Sequence, residues 1–527
     1  MGTSCTSPSQ ALPSVKSRRQ TLASSSLASS SLTSSLLTSS PASSLASSPP
    51  PVLHCPARGR SYLGPFLALP SGRLASSPSP ACLAPRASNP SPPRTCSSTS
   101  HRTNRAAAKS MATRFSVREH VVDASHIRDF ARATSTSQDA VLKLHVKQYL
   151  PLDNPAPRKG DVTIIGAHAN AFPKEIYEPL WDDLHQELGR HGLRIRAVWI
   201  ADCAWQGRSG VLNLRRGVLG NDPGWFDYAR DIVHLVNTFR MPRPLVAVGH
   251  SLVLLDPVIA MFHEYSAALG MRPAAASIRR RDAWPSRSHA AALLRKSPFC
   301  RSWDPRAFDR WIRFGLCSVD DDRDDDHNDH NDRDDHAHQA DHAAAQVTLA
   351  TTRHQEVFTF LRPAWPAFDP RGERVVDPKR MPDCGTSLHV AMPMYPFYRA
   401  EPIATFARMA DLRPGVLFIV GGTSTVVPPP DVARRTDITG TGLGGSGGVP
   451  AGRVRLVSHP DHGHLIPLES PAFCAREAAT FLERELSIWA EEEQEYDEWA
   501  SRSADERTQV SREWKAHLDM SKDRPKI

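Results

Sequence analysis

PLVAVGHSLVLLDPVI, residues 244–259, is the stretch on which the reading of this chain turns. It opens as a short apolar run, bends through Gly249-His250-Ser251, and continues at once into a second apolar run. A strand, a G-x-S-x-G turn and a helix together lift a serine hydroxyl out of a sheet and aim helix N–H groups at a reacting carbonyl. The strand and the first glycine are present. The second glycine belongs at position 253, where a valine stands, and no helical stretch separates Ser251 from LVLLDPVI. Such a turn holds its serine at strained backbone angles and favours small neighbours, a demand that Gly249 meets and Val253 does not.

Outward from this stretch, apolar runs and amphipathic segments alternate. Residues 115–122 and 141–149 alternate apolar and polar side chains, as half-buried antiparallel edge strands do. Residues 161–166 (DVTIIG) and 194–202 (RIRAVWIAD) are continuous apolar runs of the kind covered on both faces. Between them, residues 174–189 place Ile176, Tyr177, Leu180, Trp181, Leu184 and Leu188 on one helical face. A second helix is expected over 225–240 with Phe226, Ala229, Val233 and Val236 inward. Further on, 415–420 (GVLFIV) and 453–458 (RVRLVS) read as buried strands, 469–490 as a closing helix and 491–520 as another surface helix. The alternation predicts an α/β fold, a doubly wound and mostly parallel sheet whose site lies at the carboxyl ends of the strands.

Composition divides the 527 residues unevenly. Residues 1–110 carry 11 Lys or Arg and no Asp or Glu, and are dominated by Ser, Pro and Ala, the mark of a disordered low-complexity tail. Removing its +11 from the whole-chain +8 leaves −3, so the basic balance belongs to the tail and does not point to nucleic acid. The tail also has the composition of an organelle transit peptide. The core is expected as 111–260 and 411–490, with a helical cap over 261–410 and a carboxyl-terminal helix and tail over 491–527. Residues 303–314 and 357–365 are the candidate cap helices, and an acidic, histidine-rich insert over 318–345 is expected to be solvated and without a metal site. The Gly-rich run 439–450 lacks the Lys-Ser/Thr of a phosphate cradle and is a linker. No cofactor is indicated and no apolar run is long enough to cross a membrane. Nine singly spaced cysteines suit reduced thiols. The chain ends in Pro525-Lys526-Ile527, close to the S-K-L peroxisomal address, which makes a peroxisomal import receptor a candidate partner and cytoplasm or mitochondrion the alternative locations.

Three strand ends carry polar residues that a doubly wound sheet would bring together. His168-Ala169-Asn170 follows DVTIIG, Ser251 follows VAVG, and Asp461-His462-Gly463-His464 follows RVRLVS. A serine is a weak nucleophile until a base takes its proton, and His464, at the turn into the last helix, suits that role better than His462. Asp256 is the natural third member, since the loop after GVLFIV reads Gly421-Gly422-Thr423-Ser424-Thr425 and offers no acid. The oxyanion donors would be Leu252 and the loop through Ala169 and Asn170.

The runs AHANAFPKEIYEPLW (167–181), WIADCAWQGRSGVLN (199–213), LGNDPGWFDYARDIVHLVN (219–237), MPRPLVAVGHS (241–251), LVLLDPVI (252–259), PFYRAEPIATF (396–406) and HGHLIPLESP (462–471) resemble the fungal α/β-hydrolases related to peroxisomal lipase and AK-toxin biosynthesis hydrolases. The resemblance implies an α/β-hydrolase fold, a serine hydrolase triad of Ser251, Asp256 and His464, peroxisomal residence, and a small-molecule ester or acyl substrate. It departs at the centre, where such proteins place a helix after the serine. A parallel crossover needs about a dozen residues, and an extended path from Ser251 to Asp256 would span about 16 Å with the two side chains on opposite faces. On that path the two cannot meet one histidine. Either a segment has been lost, as a mis-spliced exon would lose it, or the chain is a catalytically inactive hydrolase-like binding scaffold, and hydrolysis is expected to be impaired.

Overall fold

The structure, a computed structural model, describes residues 114–251, 255–259, 266–319, 345–383 and 395–518. The tail 1–110, the acidic run 320–342, Leu252 and Pro525-Lys526-Ile527 lie outside the described residues.

The alternating segments at the start form β1 (Phe115–Asp123) and β2 (Lys143–Pro151), paired antiparallel from Phe115 opposite Pro151 to Asp123 opposite Lys143. Then come β3 (Val162–Ala167), α1 (Glu178–Arg190), β4 (Ile195–Ala201), α2 (Gly207–Arg215), α3 (Trp225–Thr238) and β5 (Leu245–Gly249). Their strand order is β1-β2-β4-β3-β5, with β3 parallel to both β4 and β5. The apolar stripe expected on the first helix is buried, with Leu180, Trp181, Leu184 and Leu188 all inside.

The second helix keeps only part of its expected face inward: Val236 packs against the core and Phe226 is half-buried. Its buried positions are Asp227, Tyr228, Asp231 and Leu235, while Ala229 is exposed and Val233 is 60% exposed. The cause is an ionic seam that apolar periodicity does not register. Arg128 grips both oxygens of Asp231 at 2.9 and 3.1 Å, the Ser125 N–H donates to Asp231, and the Asp129 N–H donates to Asp227. Paired and hydrogen-bonded in this way, the carboxylates can be buried.

The region expected as a cap contains α4 (Ser266–Arg279), α5 (Pro305–Phe314), α6 (Arg353–Phe360) and a small antiparallel sheet of β6 (Ala283–Trp284), β7 (Leu316–Ser318) and β8 (Val347–Leu349). Helix α6 begins four residues before the expected 357 and stops at 360, because Arg362-Pro363 pairs with Phe397–Tyr398 as a two-stranded ribbon. The core then resumes with β9 (Val416–Gly421), α7 (Pro429–Ile438), β10 (Val454–His459) and α8 (Pro471–Ala500), β9 and β10 being parallel in register. Helix α8 runs ten residues past the expected 490, and the short helices that follow bury no side chain. Cys203, Cys300 and Cys474 are buried free thiols, and among the described residues no helix is long and apolar enough to cross a membrane.

One residue joins the two parts of the sheet. Leu255 bridges in parallel to His250 on one side and to Ile419 on the other. Of the second strand expected over 252–259, the described residues are 255–259, and among them Leu255 is the paired position. Three residues separate Ser251 from Leu255, less than one helical turn. Strand β5 shows the consequence: Val246 and Val248 pack against the core, but Leu245 is 41% exposed and Ala247 is exposed on the opposite face.

Two outcomes follow for stability. Leu245→Thr, on the open face, shifts unfolding free energy by no more than about 0.5 kcal/mol in urea titration, whereas Ile164→Ala in the closed face costs about 2–5 kcal/mol. His145, His168 and His250 are all buried, and burial lowers the pKa of each, that of His250 to about 3. Each stays neutral in the folded chain while its unfolded counterpart takes up a proton below about pH 6.5. Stability is therefore unaffected by these groups above that pH and falls as pH drops from 6.5, by at most about 1.4 kcal/mol per pH unit for each. In thermal melts between pH 7.5 and 5, His250→Gln flattens the slope; an unchanged slope contradicts the assignment.

Candidate active site

The Gly249-His250-Ser251 turn is fixed by backbone hydrogen bonds that leave little play. The His250 N–H donates to Ala167 O at 3.0 Å, the Ser251 N–H to Leu255 O at 3.0 Å, and the Leu255 N–H to Gly249 O at 2.7 Å. Ser251 sits at φ +65° and Asp256 at φ +45°, left-handed conformations that cost a non-glycine residue roughly 1–3 kcal/mol each. Ser251 and Leu255 are joined by a hydrogen bond, Asp256 donates its N–H to Ile419 O at 2.7 Å, and the side chains of Ser251 and Asp256 converge.

They converge on His464. The Ser251 hydroxyl donates to His464 Nε2 at 3.2 Å, and His464 Nδ1–H donates to Asp256 Oδ2 at 2.7 Å. The tautomer follows from the partners, because a carboxylate only accepts. Asp256 is 5% exposed and His464 22%, so the carboxylate is dry and the imidazole is reachable. His462 points elsewhere, its Nδ1 lying 3.6 Å from Glu469 and its ring beside His459. The expectation that Ser251 and Asp256 could not share one histidine fails: both reach His464, and both stand in left-handed conformations.

The loop after β3 divides its donors between structure and site. The Ala169 N–H, expected to face an oxyanion, donates instead to the Tyr177 hydroxyl at 3.0 Å. Ala171, at φ +73°, donates its N–H to Gln206 Oε1 at 2.8 Å, and the Phe172 N–H returns to Ala169 O. Among the described residues the Asn170 N–H alone in this loop, from Ala169 to Phe172, has no acceptor. The Asn170 side chain is clamped, accepting from Gln206 Nε2 at 2.6 Å and donating to Glu356 O of α6 at 3.1 Å. Leu252 lies outside the described residues.

Two residues that sequence reasoning passed over tie the site together. His250 accepts from the Tyr177 hydroxyl at Nδ1 (2.8 Å) and donates from Nε2 to His464 O (2.9 Å). Burial, with His464 beside it, holds its pKa low, so it links the oxyanion loop to the base loop as a neutral ring. Ser424 donates to Asp256 Oδ2 at 2.5 Å from the very loop dismissed for lacking an acid. The presence of His250 in the turn was a visible signal; Ser424 gave none, because a hydroxyl in a polar loop is ordinary. Rings of Phe172, Trp303 and half-exposed Phe299, with centroids 5.6 and 5.5 Å apart, run from beside His250 to the surface. Among the described residues no cluster of His, Cys, Asp and Glu could hold a metal ion.

No protein-family model matches the chain. It is similar to the type I acyl-CoA thioesterase mpaH of Penicillium roqueforti (strain FM164), 34% identical over 439 residues that cover 79% of this chain and 95% of that one. The abhydrolase domain-containing protein AFT2-1 of Alternaria alternata is 25% identical over 271 residues, 47% of this chain and 86% of its own. Among solved structures, the peroxisomal alpha-beta-hydrolase Lpx1 of Saccharomyces cerevisiae superposes with a TM-score of 0.50 at 15% identity, covering 77% of this chain and 96% of that one, a likeness of fold. The fold, the order of the strands and the extent of the mpaH likeness agree: the chain belongs to the α/β-hydrolase family that includes these fungal thioesterases.

Proposed function

We propose that the chain is a serine hydrolase that cleaves an acyl thioester of the acyl-CoA type. The observation that carries the proposal is the unbroken line Ser251 Oγ, His464, Asp256 at 3.2 and 2.7 Å. The thioesterase named among its relatives supplies the substrate class. Ser251 Oγ attacks the acyl carbonyl carbon while His464 Nε2 takes the hydroxyl proton, and Asp256 stabilises the imidazolium that forms. The negative oxygen is held by the Asn170 N–H. As the intermediate collapses the C–S bond breaks and the thiol leaves with the proton from His464. A water then gives a proton to His464 and attacks the acyl-serine carbonyl; the C–Oγ bond breaks, His464 returns the proton to Ser251 Oγ, and the carboxylic acid is released. The Phe172, Trp303 and Phe299 rings suit an apolar acyl group.

The carboxyl-terminal Pro525-Lys526-Ile527 supports residence in peroxisomes through their import receptor. A fluorescent fusion that keeps this terminus free would co-localise with a peroxisomal marker and disperse when the three residues are removed; dispersal of the intact fusion counts against the assignment.

The catalytic proposal is tested with the full chain, a fluorophosphonate probe and a long-chain acyl-CoA whose released thiol is titrated. Wild type is labelled and turns over. Ser251→Ala loses labelling entirely, and both Ser251→Ala and His464→Ala lower kcat at least about 1,000-fold. Binding of the acyl-CoA without labelling or turnover would make the chain a binding scaffold and end the proposal.

A further inference from the structure

We propose that Ser424 is a positioning residue for the acid and base, an assignment that rests on reading Ser251, Asp256 and His464 as one catalytic unit. Asp256 reaches its place by an abbreviated link, and the backbone anchors there are the Asp256 N–H on Ile419 O and Arg435 Nη1 on the carbonyls of Pro257 and Ile259. Neither fixes the rotation of the carboxylate itself. The Ser424 hydroxyl does, donating at 2.5 Å to the same Oδ2 that accepts His464 Nδ1–H at 2.7 Å. The hydroxyl is itself oriented, since its oxygen lies 3.5 Å from the Val426 N–H that points at it.

The backbone around Ser424 ties the same turn to the base. Gly422 N–H donates to His459 O at 2.7 Å and Thr423 N–H to His462 O at 3.0 Å, and Ser424 N–H closes the turn on Gly421 O at 3.0 Å. Residues 421–424 therefore hold the loop that carries His464 through their amides and the acid through one hydroxyl. The two halves of the acid–base pair come from distant parts of the chain, and this turn sets the distance between them. A hydroxyl suits the position because an ionised carboxylate accepts only, whereas a second carboxylate there would repel the first.

The test compares Ser424→Ala and Ser424→Thr in the full chain, with circular dichroism and thermal melts confirming that both fold as wild type does. In long-chain acyl-CoA hydrolysis, Ser424→Ala lowers kcat about tenfold with KM within a factor of two, the loss expected when a hydrogen bond to a charged group is removed, and Ser424→Thr restores kcat to within about threefold of wild type. An alanine variant with full kcat, a loss carried in KM, or a threonine variant as slow as alanine overturns the proposal. A readout independent of turnover separates its failure from that of the catalytic reading. In Ser251→Ala protein, the far-downfield proton resonance of His464 Nδ1–H shifts or broadens on adding Ser424→Ala and returns with Ser424→Thr. A resonance indifferent to residue 424 overturns the positioning role even if the wild-type chain hydrolyses nothing.

Discussion

Leu255 carries a backbone bridge on each side, to His250 and to Ile419, and on that residue the molecule depends. Five strands lie to one side of it and two to the other. Without the bridge, the turn that holds Ser251 and the loops that hold Ser424 and His464 would belong to separate sheets. With it, Ser251 and Asp256 stand at either end of one fixed residue pair and face the same histidine. The strain at Ser251 and Asp256 is borne by the hydrogen bonds that converge there, from Ser251 N, Leu255 N, Asp256 N and Val258 N.

The short link has a visible cost on the other side of the sheet. A doubly wound sheet normally carries a helix on each face between parallel strands. Strand β5 has the core behind Val246 and Val248, but Leu245 and Ala247 meet solvent. Catalytic geometry and sheet cover are thus separable in this fold. The former needs only a tight reversal between serine and acid; the latter needs the residues that would make a crossover helix.

Much of this was legible in the sequence because it rests on local pattern. Continuous apolar runs gave β3, β4 and β9, helical spacing gave the buried stripe of α1, and the order of Ser251, Asp256 and His464 pointed to a shared site. What was illegible had a physical cause each time. The buried face of α3 includes two carboxylates beside Tyr228 and Leu235 because Arg128 and backbone N–H groups from 98 to 106 residues away pair with Asp227 and Asp231, and no periodicity of apolar residues reports such partners. The apolar run after Ser251 reads as extended strand, and its pattern carries no sign of the hydrogen bonds that Ser251 makes to Leu255 and Asp256 to Ile419. The loss of the Ala169 N–H to Tyr177 and the gain of Ser424 are tertiary contacts across 8 and 168 residues, beyond any local signal.

The central claim is that a link of this length still delivers nucleophile and acid to one imidazole. A crystal structure of the phosphonylated protein measures it directly. The account requires phosphorus bonded to Ser251 Oγ, a phosphonyl oxygen within hydrogen-bond reach of the Asn170 N–H, and His464 Nδ1 still on Asp256 Oδ2. An extended backbone through 249–256, with the serine oxygen and the His464 ring far apart or the adduct on another residue, would contradict it.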